Sequence, residues 1–409
     1  MNDVKWNMVP LGLVAKFHTG WTPPSGDDRY YGGCHKWANI SDVGIRDLHE
    51  TERTISDYAL ERQAGAKPAN PGDLLFPFKL SIGAVSFARE KMYTNEAIAV
   101  FPPNEKFDIR FFYYALPYFL LKNAGVNIYG APLLNATLIK QARVPVPPLE
   151  SQHRIADFLD RETAEIDAAV ADLNRYVELM EMRRGIVITN TLLGRNSEST
   201  KPDAHEIIDD HVEISLKHYA EVNPLTPEFK ELVDGEEITF LPLESIWAFG
   251  SADYSRSRPW KKSDTSYTQF RRGDILVPKV TPTVFHGRSM VAEMESNIGL
   301  ASSEVHVLRP KPSVESRWVA YNVLSSQFLD RARGEVYGVG GLQRISAGYL
   351  GSYKVARADP TTQRRMADFL DREMAEIDSL IAKSTKLRDL LLKRRSVLIT
   401  EVVTGRKQV

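Results

Sequence analysis

The sequence predicts a mixed α/β protein with an internal, pseudo-two-fold duplication, in which two α/β segments are each followed by a long amphipathic helix. Two observations predict this fold class. A helical stretch occurs twice, 211 residues apart, with about half of its positions identical in the two copies. The segment before each copy contains short apolar runs divided by Gly, Pro, Asn and Asp, a composition typical of strands joined by turns.

The two α/β segments, residues 1–148 and 213–358, resemble each other only weakly. Three motifs of the first segment have counterparts in the second, at intervals that differ because loop lengths have changed. The pairs are Pro71-Gly72-Asp73-Leu74-Leu75-Phe76-Pro77 with Arg272-Gly273-Asp274-Ile275-Leu276-Val277-Pro278, Trp37-x-x-Ile40-Ser41-Asp42-Val43 with Phe240-x-x-Leu243-Glu244-Ser245-Ile246, and Asn95-Glu96-Ala97-Ile98-Ala99-Val100 with Ser303-Glu304-Val305-His306-Val307-Leu308. Helices are predicted at 108–121 and 314–333.

The repeated stretch begins QHRIADFLDRETAEID at Gln152 and QRRMADFLDREMAEID at Gln363. Each copy predicts one long helix, at 149–195 and 359–409, with prolines before it and Gly194 or Gly405 at its end. A helix of about 40 residues is about 60 Å long. The residues predicted to pair the helices follow a heptad track: Leu159, Ile166, Leu173, Met180 and Val187, and then Leu370, Ile377, Leu391 and Leu398.

Each long helix must bury its apolar stripe, and two arrangements are open. The two helices can pack on each other, antiparallel within one chain, or each can cap its own α/β segment. The matching length and phase of the stripes favour mutual packing. The polar residues 196–212 are predicted to be a linker between the halves. Two like helices that hold two unlike segments at a fixed separation would suit the reading of two half-sites on a duplex.

Overall charge does not indicate a nucleic-acid partner, because the net charge is −1. Residues 251–289 are locally basic, with eight Lys and Arg against three Asp, and aromatic side chains lie among them. This window is either a nucleic-acid surface or a solvated region whose charge is balanced elsewhere. The single cysteine, Cys34, excludes a disulfide framework and a Cys-rich zinc site, and fits a reducing, cytoplasmic location. We expect neither a signal peptide nor a membrane helix.

Motifs for catalysis are missing from the sequence. There is no Asn/Asp-Pro-Pro-Tyr/Phe tetrapeptide for adenine amino-methylation and no Gly-x-x-x-x-Gly-Lys-Ser/Thr phosphate loop. His205, His211 and His218 lie near two aspartates, but their spacing is not that of metal ligands. We therefore expect a non-catalytic chain, with no catalytic residue, no metal-binding residue and no bound cofactor.

Several motifs, in this order, resemble the specificity subunits of type I restriction–modification systems over nearly the whole chain. They are Thr19-Gly20-Trp21-Thr22-Pro23-Pro24, Tyr31-Gly32-Gly33, Trp37-x-x-Ile40-Ser41-Asp42-Val43, Gly72-Asp73-Leu74-Leu75, Ile82-Gly83-Ala84-Val85, Asn95-Glu96-Ala97-Ile98-Ala99 and the entry into the first repeat at 144–152. The second half departs from this pattern: it lacks the Thr-Pro and Gly-Gly opening, and Ala358-Asp359-Pro360 replaces the fuller Pro-Pro entry to its helix.

The resemblance implies a role as well as a fold. Residues 1–148 and 213–358 would be target-recognition domains, each reading one half of a bipartite site on double-stranded DNA. The helices would act as spacers and as the docking surface for two methyltransferase subunits, which restriction and translocase subunits would join. S-adenosylmethionine, ATP and Mg would belong to those partners. Two alternatives remain open: a specificity module of another DNA-modification or phage-defence assembly, and a helical scaffold that binds proteins only.

Contacts with DNA would come from side chains that reach phosphates or base edges. In the first recognition domain the candidates are Thr19, Trp21, Thr22, Arg29, Tyr30, Tyr31, Lys36, Lys79, Arg89 and Tyr129. In the second they are Tyr254, Arg256, Arg258, Lys261, Lys262, Lys279, Thr281, Thr283, His286, Arg288, Gln343 and Arg344. For each of them, ordinary exposed charge or core packing is the alternative to contact.

Overall fold

The computed structural model describes residues 6–63, 65–79, 83–126, 132–195, 212–247, 251–263, 266–338 and 343–409. The chain forms two compact units. Unit 1 comprises Met1–Leu173 and Lys386–Val409, and unit 2 comprises Asn174–Thr385. Each unit therefore holds one α/β segment together with part of each repeat helix. The predicted linker, 196–212, lies outside the described residues except at Val212.

Unit 1 is built around three neighbouring strands that are fully buried. Its elements are β1 Met8–Pro10, α1 Leu11–Val14, β2 His18–Thr19, β3 Tyr31–Ala38, β4 Asp47–Leu48, β5 Arg53–Ile55, α2 Asp57–Arg62, β6 Leu74–Pro77, β7 Ser86–Ala88, β8 Tyr93–Thr94, β9 Ile98–Phe101, α3 Ile109–Lys122, β10 Gly125–Val126, β11 Pro132–Leu133, α4 Ala136–Gln141 and β12 Arg143–Pro145. The main sheet has the order β2-β9-β6-β7-β4, and a second sheet has the order β5-β3-β8. The aromatic face of α3, at the position predicted for a helix, packs into the same core as β6 and β9.

Unit 2 has a related pair of sheets. Its elements are β13 Glu213–Ser215, β14 Ala220–Val222, β15 Glu237–Leu241, β16 Ser257–Pro259, β17 Thr268–Arg271, β18 Ile275–Pro278, β19 Met290–Val291, β20 Ile298–Ala301, β21 Val305–Pro310, α6 Ser316–Leu324, α7 Ser326–Gly334, α8 Ala347–Ser352 and β22 Lys354–Ala356. The sheets have the orders β14-β21-β18-β19 and β16-β15-β20-β17. The single helix predicted at 314–333 is two helices, because the Ser325 hydroxyl accepts from the Phe328 N–H (3.2 Å) and starts α7 as an N-cap.

Strand pairing corrects one of the three motif alignments by one residue. Pro77 of β6 pairs with Ile98, and its counterpart Pro278 of β18 pairs with Val305. Ile98 therefore corresponds to Val305, not to His306. A short apolar strand motif fits equally well when it slides by one position, whereas the hydrogen-bond register fixes it.

The two long helices are α5 Leu149–Leu192 and α9 Pro360–Val403. The start of α9 is well fixed without a Pro-Pro pair, because the Asp359 carboxylate accepts from the backbone N–H groups of Thr361 (2.9 Å) and Thr362 (3.1 Å). Each helix is followed two residues later by a glycine in the left-handed region, Gly194 at φ 68° and Gly405 at φ 77°. These stop signals are the ones that the sequence predicted.

Within each unit the long helices pack on each other in antiparallel order. In unit 1 an ion pair joins Asp167 of α5 to Arg395 of α9 (2.8 Å), and earlier residues of α5 share a core with later residues of α9. In unit 2 the residues at the equivalent positions of the repeat, Arg184 and Asp378, form an ion pair with the charges exchanged. This confirms the predicted antiparallel pairing. The helix segments also pack against the α/β core of their own unit, so the two arrangements open from the sequence are combined.

The predicted pairing residues are not equally buried. Those that are buried are Leu159, Ile166, Leu370, Ile377 and Leu398. Those that are half-buried are Leu173, Met180, Val187 and Leu391. The heptad track therefore leads into the cores of the two units at its buried positions and runs along their edge at the others.

Each unit docks its α/β segment onto its long helix through the same polar network. In unit 1, Arg110 of α3 contacts Asp157 (2.8 Å) and Asp160 (3.2 Å), and the Tyr114 hydroxyl donates to Asp160 (2.7 Å). Burial raises the pKa of Tyr114 to about 12, with its bond to Asp160 adding to the shift. The tyrosine therefore stays protonated as the donor over the ordinary pH range.

Unit 2 repeats this network with its own residues. Arg317 of α6 contacts Asp368 (2.9 Å) and Asp371 (2.5 Å), and Tyr321 donates to Asp371 (2.7 Å). The hydrogen bond between Arg317 and Glu315 is the main reason that the pKa of Arg317 is raised. The same polar network, which we call the mounting network, thus joins each α/β segment to its long helix, although the loops of the two segments differ.

A buried glutamine completes each mounting and leads to a stability prediction. Gln363 accepts from the Glu315 N–H (3.1 Å) and donates to the Ala358 carbonyl (2.8 Å). In Gln363→Leu both backbone groups would lose a buried partner, so we expect a loss of about 2–4 kcal/mol in the free energy of unfolding. Urea unfolding would measure it, with the exposed Gln141→Leu as the control. A change below about 0.5 kcal/mol would show that water satisfies both groups.

Candidate nucleic-acid interface

The candidate DNA contacts of unit 1 begin on β2 and the loop after it. Thr19 is exposed at the end of β2. The carbonyl of Trp21 accepts from the indole of the buried Trp37 (3.0 Å), which holds this loop against a core. The hydroxyl of Thr22 donates to Glu96, and this bond lowers the pKa of that carboxyl. Thr19 and Thr22 therefore lie at the surface, while Trp21 is partly built into the protein.

Arg29, Tyr30 and Tyr31 lie at the entry to β3. Arg29 pairs with Asp27 (2.6 Å), yet its side chain is 70% exposed. Tyr30 packs at the edge of a small aromatic core. The hydroxyl of Tyr31 donates to the Pro23 carbonyl (2.9 Å). Of the three, Arg29 presents the most charged surface to a ligand.

The other candidate cations of unit 1 also contact carboxylates. The pairs are Lys36 with Glu50 (3.0 Å), Lys79 with Glu96 (3.7 Å) and Arg89 with Asp47 (2.6 Å). The pairs of Lys79 and Arg89 are exposed on both sides and are worth about 0–1 kcal/mol, so a phosphate oxygen can replace the carboxylate there at little cost. Tyr129 lies outside the described residues.

In unit 2 three candidates lie on or beside β16, the edge strand of its sheet. Arg256 pairs with Glu244 (3.1 Å), and both side chains are more than half exposed. The guanidinium of Arg258 lies 4.1 Å from the ring centroid of Tyr267, a cation–π contact. The hydroxyl of Tyr254 accepts from a backbone N–H (2.8 Å), and its ring packs against a core. This strand therefore offers two arginines at an edge, with the tyrosine held inside.

Further candidates of unit 2 lie in two loops. Lys261, Lys262 and His286 are exposed, and Thr283 and Arg288 are half-buried. Thr283 begins, and His286 ends, a one-turn 3-10 helix. The exposed lysines and His286 are therefore open to solvent, as a contact with phosphate requires.

A polar cluster around Glu304 takes up the remaining candidates of unit 2. Arg344 donates two hydrogen bonds to Glu304 (2.8 and 2.9 Å), which lower the pKa of that carboxyl. Lys279 donates to a backbone carbonyl (2.7 Å), and burial lowers its pKa. The Thr281 N–H donates to the Gln343 carbonyl (2.9 Å). The cluster holds two loop segments together, so its residues have a structural task.

The basic window at 251–289 is balanced in part by acids elsewhere in unit 2. Besides Arg256, Arg271 pairs with Glu228 (2.7 Å). Lys261 and Lys262 of the same window are exposed. The structure thus shows features of both interpretations of this window: charge compensation within the unit and an exposed basic surface.

Two exposed apolar stripes on the long helices lie outside the predicted heptad track. On α5 the stripe consists of Tyr176, Leu179 and Ile186, which are 36%, 44% and 56% exposed. On α9 the stripe consists of Leu387, Leu390 and Val397, which are 49%, 54% and 47% exposed. Each residue of the second stripe stands 211 positions after one of the first, so the repeat interval could have revealed them. Successive steps of three and seven residues put each set on one helix face. We call them the α5 stripe and the α9 stripe.

Among the described residues, no helix is both long enough and apolar enough to cross a membrane.

Comparison with known proteins gives one family match, over residues 3–174. These residues match the family model described as "Type I restriction modification DNA specificity domain". The specificity subunit of the type I restriction enzyme EcoEI from Escherichia coli is 24% identical over 269 residues, covering 64% of this chain and 42% of that protein. The EcoAI specificity subunit from the same species is 28% identical over 227 residues, covering 54% and 35%. The chain thus matches less than half the length of either relative.

Solved structures share the fold over nearly the whole chain. One, from a study of complex assembly and conformational transition of the type I R-M system, has a TM-score of 0.71 at 15% identity, covering 98% of both chains. The HsdS subunit from Thermoanaerobacter tengcongensis has a TM-score of 0.54 at 15% identity, covering 98% and 97%. The predicted fold class, mixed α/β segments with two long helices, is confirmed.

Proposed function

We propose that this chain is a type I restriction–modification specificity subunit and that it directs a DNA-modifying complex to a bipartite target. The match of residues 3–174 to the specificity-domain model supports this, as do the relatives from Escherichia coli. The observation that carries the proposal is the contrast within the duplication. The helices and the mounting networks of Arg110 and Arg317 are alike, whereas the loops above them differ. Two similar helical supports that carry two different α/β segments would suit the recognition of two different half-sites.

Each unit would read its half-site with exposed residues of its α/β segment. Arg29 in unit 1 and Arg256 in unit 2 are more than half exposed, and each pairs with a carboxylate that a phosphate can displace. Binding through such groups releases counterions, so affinity should fall steeply with salt. The proposed ligand is double-stranded DNA.

The partners are proposed from the α5 and α9 stripes. Exposed apolar side chains in a row mark protein docking surfaces. Because the two stripes are equivalent within the repeat, they would bind two copies of one partner, which we identify as the methyltransferase subunit. Restriction and translocase subunits would complete the assembly, and S-adenosylmethionine, ATP and Mg would be bound by the partners. The specificity chain itself would be non-catalytic, and the complex would act in the cytoplasm.

Methylome sequencing of cells that carry the chain with its methyltransferase tests the proposal. We expect adenine methylation in both halves of one bipartite motif. Exchanging residues 1–148 for the domain of a relative should change one half-motif and leave the other and the gap unchanged. A change in both halves would contradict separate readers. If methylation were absent and footprinting showed no sequence-dependent protection, the chain would be a scaffold for proteins only.

A further inference from the structure

Cys34, His35 and Asp57 of unit 1 offer a sulfur, an imidazole nitrogen and a carboxylate oxygen that all lie within 4.8 Å of one another. We propose that these three residues bind a zinc ion, with the fourth position open to water. Thiolate, imidazole and carboxylate are the ligands that proteins use for zinc, and three of them with one open position make a tetrahedral site. The proposal stands independently of the proposed function.

An irregularity in β3 brings two neighbouring residues to one side. In a regular strand, adjacent side chains such as Cys34 and His35 point to opposite faces. Here the register with β5 shifts, so that Tyr31 and His35 both pair with Ile55. Gly32, within the shift, has φ 77°. The extra residues of this bulge allow the thiol and the imidazole to reach the same point.

A second glycine sets β3 directly beside the start of α2. A Cβ on Gly33 would lie 2.4 Å from the Ile55 carbonyl oxygen and 2.4 Å from the Ser56 Cα, so only glycine fits. Asp57, the first residue of α2, follows immediately. The hydroxyl of Ser56 caps α2 by accepting from the Ala59 N–H (3.3 Å). The carboxylate of Asp57 is therefore not needed as a cap and faces the imidazole.

The cluster would become a tetrahedral site through side-chain rotations. The Nε2 atom of His35 lies 2.7 Å from the Oδ1 atom of Asp57. In a zinc site the ligand atoms lie about 3.3–3.8 Å apart, given metal–ligand bonds of about 2.0–2.3 Å. Asp57 can move because its side chain is 81% exposed, whereas the His35 ring, 29% exposed, stands edge-on to Tyr93 with centroids 6.1 Å apart. The ion would replace the hydrogen bond between the imidazole and the carboxylate.

The chemistry of binding has a defined proton balance. The thiol of Cys34 must lose its proton to become a ligand, and His35 must be neutral. Zinc binding therefore releases protons, and affinity should rise with pH. The bound ion would tie β3 to α2 beside the candidate DNA contacts Tyr31 and Lys36, which belong to the same strand.

A cobalt titration of the full chain tests the site. The chain would be untagged, reduced and stripped of metal, and then titrated with Co(II), which reports thiolate ligation by a near-ultraviolet charge-transfer band and tetrahedral geometry by visible bands. We expect both signals to saturate at one equivalent and to disappear on addition of Zn(II). Cys34→Ser should abolish the charge-transfer band. Loss of a residue that only hydrogen-bonds to a metal ligand lowers metal affinity by about 10- to 100-fold. Asp57→Asn, which changes a ligand itself, should therefore weaken binding at least about tenfold.

The single cysteine provides a second readout. Cys34 is the chain's only thiol and is exposed, so its rate of reaction with a disulfide reagent reports this site alone. Saturating Zn(II) should slow the reaction in the unchanged chain and in His49→Gln, an exposed histidine of the same unit, but not in His35→Gln. Two results would overturn the proposal: a thiol rate that zinc leaves unaltered, or cobalt binding that persists in Cys34→Ser with its affinity unchanged. Circular dichroism would verify that each variant is folded.

Discussion

Replacing Leu370 by aspartate should lower the free energy of unfolding by about 3–5 kcal/mol. Leu370 of α9 is fully buried in the core of unit 2, where Ile188 and Leu192 of α5 also lie. The change removes apolar contacts. It also places a carboxyl group among apolar side chains, which cannot solvate it. The same region holds the helix pair together, so loss of the pair should accompany the loss of stability. Denaturant unfolding followed by circular dichroism measures the effect.

The chain provides a matched control for this change on the same helix. Leu392 of α9 is 45% exposed, and the equivalent position of the first copy is already an acid, Glu181. We expect Leu392→Asp to change the free energy of unfolding by no more than about 0.5 kcal/mol. Equal effects of Leu370→Asp and Leu392→Asp would contradict the buried seam.

The pH dependence separates the buried charge from the lost packing. Burial should raise the pKa of the new carboxyl above its unfolded value, so the folded state holds the proton more tightly. Stability relative to the unchanged chain should then fall further as the pH rises from about 5 to about 8. Leu370→Asn, of similar size and unable to ionise, should show a loss that does not depend on pH. Parallel pH profiles of the two variants would show that the carboxyl escapes to solvent.

The long helices could be predicted from the sequence in most respects because their determinants are local. Heptad spacing, capping residues and terminal glycines all act within a few residues of one another. The antiparallel pairing followed from one further physical requirement, the burial of two matching stripes. Leu173 and Leu391 belong to the predicted heptad track, but the structure leaves both of them half-buried.

The mounting networks and the polar cluster of unit 2 could not be predicted in the same way. Arg110 meets Asp157 and Asp160, and Arg344 meets Glu304, across 40 or more residues of chain. Only the fold brings such charges together. Several candidates predicted as exposed cations therefore have protein partners, and the sequence could not distinguish the two situations.

The zinc cluster illustrates a different limit. Adjacent Cys34 and His35 on a predicted strand would point apart, and no spacing rule links them to Asp57. The bulge and the close approach at Gly33 remove that obstacle. Backbone irregularities of this kind are set by tertiary contacts, so a sequence motif for the site was not visible.

If the α5 stripe and the α9 stripe are the proposed docking surfaces, replacing Leu179 or Leu390 by aspartate should release one methyltransferase subunit each, and the double variant should release both. The two leucines are the central members of the α5 stripe and the α9 stripe, and both are about half exposed. A charge at the centre of an apolar contact should cost at least about 2 kcal/mol of binding, or about 30-fold in Kd. Native mass spectrometry of the assembled complex counts the subunits that remain.

The stability of the chain should not change in these variants, because neither leucine is buried in it. That distinguishes them from Leu370→Asp, which should disrupt the helix pair itself. Leu392→Asp serves again as the control: it adds the same charge to an exposed position outside the repeated set, and both subunits should stay bound. If Leu179→Asp and Leu390→Asp retained both subunits, the stripes would not be docking surfaces. If either variant alone released both subunits, the two sites would be coupled instead of equivalent and independent.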